Sequence, residues 1–392
     1  MRDRILGLPR NIFFLGLTSF FNDFSSEMVF AVFPAFFTSV LKTGAASLGI
    51  VDGTAEAVSN FFKIYSGHLS DRVQRRKPFV VSGYIVSVVT RPFYILISTV
   101  TGALGLRVLD RVGKGLRDAP RDAIISLSTP QEELGRSFGY HRAMDTTGAI
   151  LGPLAAYFFL RYFPLRFDIV FSAAFLIGIL AVLTLFFISD VTGRGISKGL
   201  RIGSFRQLSA QFKGVLLGTF VLAIGSLPIA VMLLKTKSLG LIIADIPLFY
   251  AVYSISYAVF SIPAGKISDR IGARAVISIG YLLLLGGYFI INRASSMPVL
   301  FCGFLFLGLF PAFTDGVQRS LAAQLSVPEL RGGALGLMNA SNGIGALLAG
   351  IIGGYLWQVY NPTTAFFAAS VFIGIGLLIF LISARYPTDP VS

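Results

Sequence analysis

Acidic and basic side chains interrupt long apolar segments in the first half of the sequence. In the first of these segments, Asp23 follows Asn22 and precedes Glu27 by four residues, so a helix would present both carboxyl groups on one face. A buried carboxyl group that is paired with a cation can take up a proton when another anion binds that cation. This chemistry would couple the binding of a proton to the binding of a charged ligand.

Three further apolar segments carry residues of the same kinds, including Arg111 and Lys114 at helical spacing in the fourth segment. Ionisable groups are costly at the depth of a lipid bilayer, so they normally face a cavity or one another. We therefore group them into one predicted site. The candidate substrate- and proton-binding residues are Asn22, Asp23, Glu27, Asp52, Glu56, Arg107, Arg111, Lys114 and Asp145.

Within this set, the predicted proton carrier is Asp23, Glu27 or Glu56. Arg111 and Lys114 are predicted to contact an anionic group of the substrate. Other charged residues of the fourth segment lie nearer the predicted cytoplasmic side and are expected to form ion pairs there, namely Asp118, Arg121 and Asp122.

The composition indicates that these segments lie in a membrane. Charged residues make up 13% of the chain and hydrophobic residues 54%, with a mean hydropathy of +0.76, whereas soluble domains have about 25% charged residues. A helix needs about 20 apolar residues to span a bilayer. The twelve predicted spans are residues 11–40, 45–67, 78–98, 102–127, 135–160, 167–189, 211–235, 245–265, 274–292, 297–325, 331–356 and 364–384.

The net charge of +14 would suggest a nucleic-acid partner in a soluble protein. Here the Lys and Arg residues concentrate in loops on one side of the predicted spans, which is the bias that sets the orientation of membrane proteins. This distribution predicts a multi-pass protein of the cytoplasmic membrane with both termini in the cytoplasm, and it excludes a soluble nucleic-acid binder. The single cysteine, Cys302, excludes an internal disulfide.

A loop sequence occurs twice. Residues 67–72 read Gly-His-Leu-Ser-Asp-Arg and residues 265–270 read Gly-Lys-Ile-Ser-Asp-Arg, 198 positions later. Near the same offset, Arg121 matches Arg319 and Asp145 matches Asn342. The repeat predicts two six-helix bundles related by duplication. We place the N-terminal bundle at 1–190, a cytoplasmic linker at 191–210 and the C-terminal bundle at 211–392.

The repeated loop resembles the cytoplasmic loop signature of the major facilitator superfamily (MFS). The resemblance implies an all-α membrane fold of 12 helices and a cytoplasmic gate, in which glycine allows a close helix crossing and arginines hold helix ends together. The residues that carry over to the predicted gate are Gly67, Asp71, Arg72, Arg76, Gly265, Asp269, Arg270 and Arg274.

The fifth span is similar to a motif associated with antiporters of that superfamily. It contains Gly139, Gly148, Gly152 and Pro153, although Ala156 and its neighbour stand where the motif has a final glycine pair. The fourth span resembles the superfamily's buried-arginine motif at Arg111, with lysine at position 114 in place of glutamine. These resemblances imply a helix that packs closely through small residues, and they favour antiport.

No nucleotide-binding Gly-x-x-x-x-Gly-Lys-Ser/Thr motif occurs, so transport would be driven by a gradient and needs no cofactor besides protons. The predicted function is secondary active export of a small charged or zwitterionic solute, coupled to protons, by a monomer whose other partners are membrane lipids. Export of a divalent metal cation or of a lipophilic drug or lipid remains open. A membrane-embedded enzyme resembling a prenyl transferase is a further alternative, although we predict no catalytic or resident metal-binding residues.

Overall fold

The computed structural model describes residues 4–191, 208–327 and 330–383. Within these residues the chain is almost entirely helical, with one short hairpin of β1 (Arg4–Ile5) and β2 (Leu8–Pro9). The helices are α1 (Arg10–Ser39), α2 (Ala45–Val73), α3 (Lys77–Phe93), α4 (Val100–Leu127), α5 (Leu134–Tyr162), α6 (Phe167–Thr184), α7 (Ala210–Ile224), α8 (Ile229–Leu233), α9 (Lys235–Ser238), α10 (Ile246–Ile271), α11 (Ala273–Arg293), α12 (Met297–Gln324), α13 (Arg331–Val359) and α14 (Pro362–Ser383).

Eleven of the twelve predicted spans coincide with single long helices of the described chain, and the seventh covers α7 and α8, which confirms the predicted all-α fold class. By length and composition, nine helical segments among the described residues can cross a membrane. The other three long helices, α1, α2 and α4, have 30, 29 and 28 residues, so they are also long enough to span. They carry most of the candidate ionisable residues, which lowers their hydropathy.

Two boundaries differ from the predictions. The helices α2 and α10 continue to Val73 and Ile271, so the repeated sequence forms helix ends, whereas loops were predicted at 68–77 and 266–274. Polar residues end a hydrophobic span without ending a helix, and Gly272, with φ +90°, supplies the actual turn. The seventh predicted span breaks after Ile224 because Pro228 disfavours helical geometry in the residue before it.

The described chain divides into two compact units. The first contains α1, the part of α2 from Val58 onward, α3 to α6, and residues 240–251 at the start of α10. In this unit α1 packs mainly on α5 and α6, while α3 packs on α4. The second contains residues 44–57 of α2, the rest of α10, α7 to α9 and α11 to α14.

Helix pairing in the second unit follows the same plan. There α7 packs on α14 and α13, and α11 packs on α12. In the duplicated arrangement, α7 corresponds to α1, α13 to α5, α14 to α6, and the pair of α11 and α12 to that of α3 and α4. The domain boundaries at 190 and 210 stay a prediction, and residues 192–207 of the predicted linker lie outside the described residues.

Two glycines of α5 allow its close contact with α1. A Cβ atom added to Gly152 would lie 2.6 Å from the backbone oxygen of Phe24 and 2.9 Å from the backbone nitrogen of Met28. A Cβ atom added to Gly148 would also meet the backbone oxygen of Phe20. At Gly139, on the same helix, no atom of the described residues outside the neighbouring helix backbone lies within 4 Å of the corresponding position. Small residues therefore bring the two backbones together at Gly148 and Gly152.

We predict that Gly152→Ala lowers the free energy of unfolding by about 1–3 kcal/mol, because the added methyl group meets backbone atoms that cannot rotate away. Gly139→Ala is the matched control on the same helix, and it should leave stability unchanged or raise it slightly. Denaturant unfolding in mixed micelles measures both variants. Equal stability of the two variants would contradict the close contact.

Candidate functional site

A chain of hydrogen bonds joins α3 to the polar face of α1. Arg91 of α3 donates from Nη2 to the side-chain oxygen of Asn22 at 2.8 Å and to its backbone oxygen at 3.3 Å. Asn22 in turn donates from Nδ2 to Oδ1 of Asp23 at 3.0 Å. Because its oxygen faces a cation and its nitrogen faces a carboxylate, the amide of Asn22 has one favourable orientation. It therefore links a buried guanidinium group to a candidate proton carrier.

The carboxyl group of Asp23 also lies beside the carboxyl group of Asp145 on α5. The close contact between α1 and α5 brings the carboxyl group of Asp145 within hydrogen-bonding reach of that of Asp23. Two carboxyl groups can form such a bond only when one of them carries a proton, since two carboxylates offer no donor. Ser19 donates to Oδ1 of Asp145 at 2.6 Å, and Arg142 donates to Oδ2 at 3.2 Å. These donors hold the side chain of Asp145 in place beside Asp23.

Glu27 lies one helical turn further along α1 and has a different partner. Its Oε2 accepts a hydrogen bond of 2.7 Å from the hydroxyl group of Tyr250, which belongs to the same compact unit. The ring of Tyr250 also meets that of Phe30 edge to face, with ring centroids 5.0 Å apart. The tyrosine therefore ties the start of α10 to α1 at a second candidate proton carrier.

Basic residues of α4 lie near the carboxyl groups of Asp110 and Asp23. Nη1 of Arg107 lies 3.6 Å from Oδ2 of Asp110, and its guanidinium group stacks over the ring of Phe30 at 4.6 Å. Arg111 follows directly on the chain and also acts on Asp110 electrostatically. Lys114 acts on Asp23. The predicted basic residues thus lie in the same unit as the carboxyl pair.

The remaining two predicted residues, Asp52 and Glu56, lie elsewhere. They belong to the segment of α2 that forms part of the second unit, where Gly53 packs against the backbone of Ala346 and Leu347 on α13. The cluster in the first unit is therefore built without them. Their part in substrate or proton binding stays a prediction.

The charged residues expected nearer the cytoplasm do form ion pairs. Asp118 lies 3.4 Å from Lys63 and 3.4 Å from Arg121, and Arg121 also contacts Asp122 at 2.9 Å. This cluster joins the C-terminal part of α2 to α4. It stabilises the helix pair, because each partly buried charge has an opposite charge beside it.

The predicted gate residues have varied surroundings. Arg72, Asp269 and Arg270 are exposed, Arg274 is half-buried, and the side chain of Asp71 lies outside the described part of the chain. At Gly67 an added Cβ atom would lie 3.3 Å from that of Ala119, whereas nothing lies within 4 Å at Gly265. In the described residues, a close crossing at the repeated glycine therefore occurs only in the first copy.

Arg76 is fully buried and anchors the start of α3. It donates from Nη1 to the backbone oxygen of Val191 at 3.2 Å. The side chain of Asp190 accepts from the backbone N–H groups of Arg76 and Lys77 at 3.1 and 3.0 Å, which satisfies donors that a helix start leaves open. This arrangement shows an anchoring contact within the first unit, and the part of Arg76 in a gate stays a prediction.

Sequence reasoning missed three residues of the cluster. Arg91 carried a usable signal, because a lone arginine inside a predicted span must find a partner. Ser19 and Tyr250 carried none, since single hydroxyl groups are common in membrane helices and their partners become visible only after packing. The carboxyl pair needed the contact of α1 with α5 as well as the residue types.

Comparisons with known proteins agree with this fold. A family model described as Major Facilitator Superfamily matches residues 15–241 and 214–392. An uncharacterised MFS-type transporter of Methanocaldococcus jannaschii is 36% identical over 96% of this chain and 95% of its own length. The multidrug resistance protein MdtH of Cronobacter sakazakii is 24% identical over 90% of this chain and 89% of its own. The crystal structure of a mutant of the nucleoside transporter NupG has a TM-score of 0.79 at 15% identity, covering 95% of this chain and 100% of that one.

We predict that Asn22→Leu lowers the free energy of unfolding by about 1.5–3 kcal/mol, because it removes a side-chain acceptor from the buried Arg91 guanidinium group. In the double variant with Arg91→Met the two losses should be less than additive. Asn22→Leu combined with Arg166→Met, at an exposed arginine, is the control and should be additive within about 0.5 kcal/mol. Additive losses in both double variants would contradict the coupling of Asn22 to Arg91.

Proposed function

Because the chain belongs to the major facilitator superfamily and is a multi-pass membrane transporter, we propose that it moves a small charged or zwitterionic solute by alternating access in exchange for protons. Membership of this family also makes the chain a transporter rather than an enzyme, which removes the alternative of a prenyl transferase. The proposed location is the cytoplasmic membrane, with both termini in the cytoplasm, and the proposed active form is a monomer. The bias of Lys and Arg toward the loops of one side supports the orientation.

The close approach of the carboxyl groups of Asp23 and Asp145 is the observation that carries this proposal. A shared proton can leave the pair only if the second negative charge that remains is balanced by nearby cations. Lys114 and the Arg91–Asn22 connection supply positive charge on the side of Asp23, and Arg142 supplies it beside Asp145. An anionic group that binds these cations would favour the protonated pair, and its release would favour loss of the proton.

The name of one relative supports export as the direction. The multidrug resistance protein MdtH is related over most of this chain, and export of a compound is one route to resistance. The packing of α5 through Gly148 and Gly152, within the segment that resembles an antiporter motif, supports the same direction. Lipophilic drugs are therefore a second candidate substrate class.

Divalent cations enter the same test as a third class. Among the described residues, no three His, Cys, Asp or Glu side chains come close enough together to hold a metal ion. A thermal-stability screen of the purified protein against organic acids, zwitterions, lipophilic cations and divalent metals would identify the class. A ligand at 100 times its dissociation constant should add about 2.7 kcal/mol to stability.

With the ligand that the screen identifies as the solute, we predict that Asp23→Asn and Asp145→Asn each abolish the accumulation of this solute in proteoliposomes under a pH gradient. Exchange of labelled for unlabelled solute without a gradient should continue, because an amide replaces the protonated carboxyl group in shape. In the wild-type protein, a gradient of about one pH unit can drive about tenfold accumulation per proton exchanged. In both variants the accumulation ratio should fall to about 1.

Asp168→Asn is the matched control, because Asp168 is a partly exposed aspartate whose partner is the exposed Arg166. It should retain the wild-type accumulation ratio. Gradient-driven accumulation at the wild-type level in both Asp23→Asn and Asp145→Asn would contradict the proposed proton coupling, whatever the solute. The same measurement on Glu27→Gln and Glu56→Gln tests the other two predicted carriers.

A further inference from the structure

The guanidinium group of Arg91 is buried at the point where α3 meets α1 and α6. Its Nη2 atom donates to Asn22 of α1, and its Nη1 atom lies against Gly178 of α6. A Cβ atom added to Gly178 would overlap this Nη1 atom. Because glycine has no side chain, α6 leaves a space that one branch of the guanidinium group fills. The position of Arg91 therefore depends on Gly178 as well as on Asn22.

The space at Gly178 is closed on its other sides. The two methyl groups of Val88 would lie 3.0 and 3.1 Å from an added Cβ atom. Ser25 of α1 donates to the backbone oxygen of Ala174, one helical turn before Gly178, and this hydrogen bond ties α6 to α1. A larger residue at position 178 would therefore displace the flexible end of Arg91, because a side-chain end moves more easily than a packed backbone.

Arg91 acts on the carboxyl group of Asp23 in two ways. Its positive charge is close enough to act on Asp23 electrostatically. Its hydrogen bond also orients the amide of Asn22, which donates to Asp23 at 3.0 Å. A nearby cation and a donated hydrogen bond both stabilise an ionised carboxyl group. Moving Arg91 away from Asn22 would weaken both effects, so Asp23 would keep its proton up to a higher pH.

The other ionisable groups that act on Asp23 belong to helices other than α6. They are Asp145 on α5, Lys114 on α4, Glu27 on α1 and Tyr84 on α3. The ionisable residue of α6, Asp168, lies in the first turn of that helix. A substitution at Gly178 would therefore change the electrostatic surroundings of Asp23 through Arg91.

The second unit uses the corresponding glycine differently. Gly376 follows Gly178 by 198 positions, the offset of the repeated loop, and it belongs to α14, the counterpart of α6. A Cβ atom added to Gly376 would lie 2.7 Å from both the backbone nitrogen and Cγ of Leu222 on α7. Both glycines are tight packing positions, but of the two it is Gly178 that borders a cation.

We propose that Gly178 is a positioning residue for proton binding. The space that it leaves holds the guanidinium group of Arg91 against Asn22, and this placement sets the pH at which Asp23 takes up a proton. The inference rests on the proposed function, in which Asp23 exchanges protons. It adds α6, through a residue without a side chain, to the helices that determine proton coupling.

The test is an infrared titration of the full-length protein in lipid bilayers, in the absence of any solute. Protonated carboxyl groups have a distinct C=O stretching band, and the part of this band that disappears in Asp23→Asn reports the proton on Asp23. We expect Gly178→Ala to move the midpoint of this part upward by about 0.5–1 pH unit. Arg91→Met, which removes the charge itself, should move the midpoint further in the same direction. An unchanged midpoint in Gly178→Ala would overturn the proposal.

Two further variants separate positioning from packing. In Gly178→Ala combined with Arg91→Met there is no guanidinium group to displace, so the midpoint should equal that of Arg91→Met. Gly376→Ala is the matched control, and it should lower stability without moving the midpoint. Equal shifts in Gly178→Ala and Gly376→Ala, or additive shifts in the double variant, would mean that loosened packing alone changes the titration, and the proposal would be wrong.

A rescue variant keeps the proposal testable if Gly178→Ala alone does not fold. The lysine ammonium group lacks the branch that overlaps the added methyl group, so Arg91→Lys should restore folding, with the midpoint of the single variant Arg91→Lys. A double variant that stays unfolded would show that the packing of α6, and not Arg91, requires this glycine. If no part of the band depends on Asp23, the proposed function and this inference both fail, whereas an unshifted midpoint of a titrating Asp23 contradicts this inference alone.

Discussion

The contact between α1 and α5 is the interaction on which the candidate site depends. The backbones approach closely because Gly148 and Gly152 have no side chains, and this approach places Asp145 beside Asp23. Helices in a membrane gain little from the hydrophobic effect when they associate, so their contact relies on packing and on hydrogen bonds between polar side chains. Here both occur at one crossing. A side chain at either glycine would separate the helices and thereby the two carboxyl groups, so packing and protonation are linked through the same few residues.

The second constraint is charge balance in a medium that solvates ions poorly. Several arginines of α3 and α4 act on Asp110, whereas α1 and α5 supply two carboxyl groups within reach of each other. The amide of Asn22 connects these two regions, since it accepts from Arg91 and donates to Asp23. A change of charge on one side therefore alters the electrostatic energy of the other. This connection gives a physical basis for coupling protons to an anionic group, because the two ligands have opposite charges and act on one network.

Hydropathy and the internal repeat were sufficient to predict the helices and the family, because span length and loop duplication are local properties of the sequence. The residue types of the cluster could be predicted for the same reason, since charges inside apolar spans are conspicuous. Which of these side chains contact one another could not be predicted, because those contacts depend on how the helices pack. Asp52 and Glu56 have the same chemistry as Asp23, yet they belong to the second unit. Conversely, Tyr250 is a common residue near a helix start, and only the fold places it against Glu27.

The two units share a scaffold but differ in charge at equivalent positions. Gly345 on α13 packs against Ala223 on α7, as Gly148 packs against α1. One turn before each glycine, however, the first unit has Asp145 and the second has Asn342, which donates to Gln318 at 3.0 Å. An amide pair satisfies its hydrogen bonds without a proton that can be exchanged, whereas a carboxyl pair requires one. Duplication therefore accounts for the scaffold of both units, and the proposed proton chemistry of the first unit depends on Asp145, whose counterpart in the second unit is the neutral Asn342.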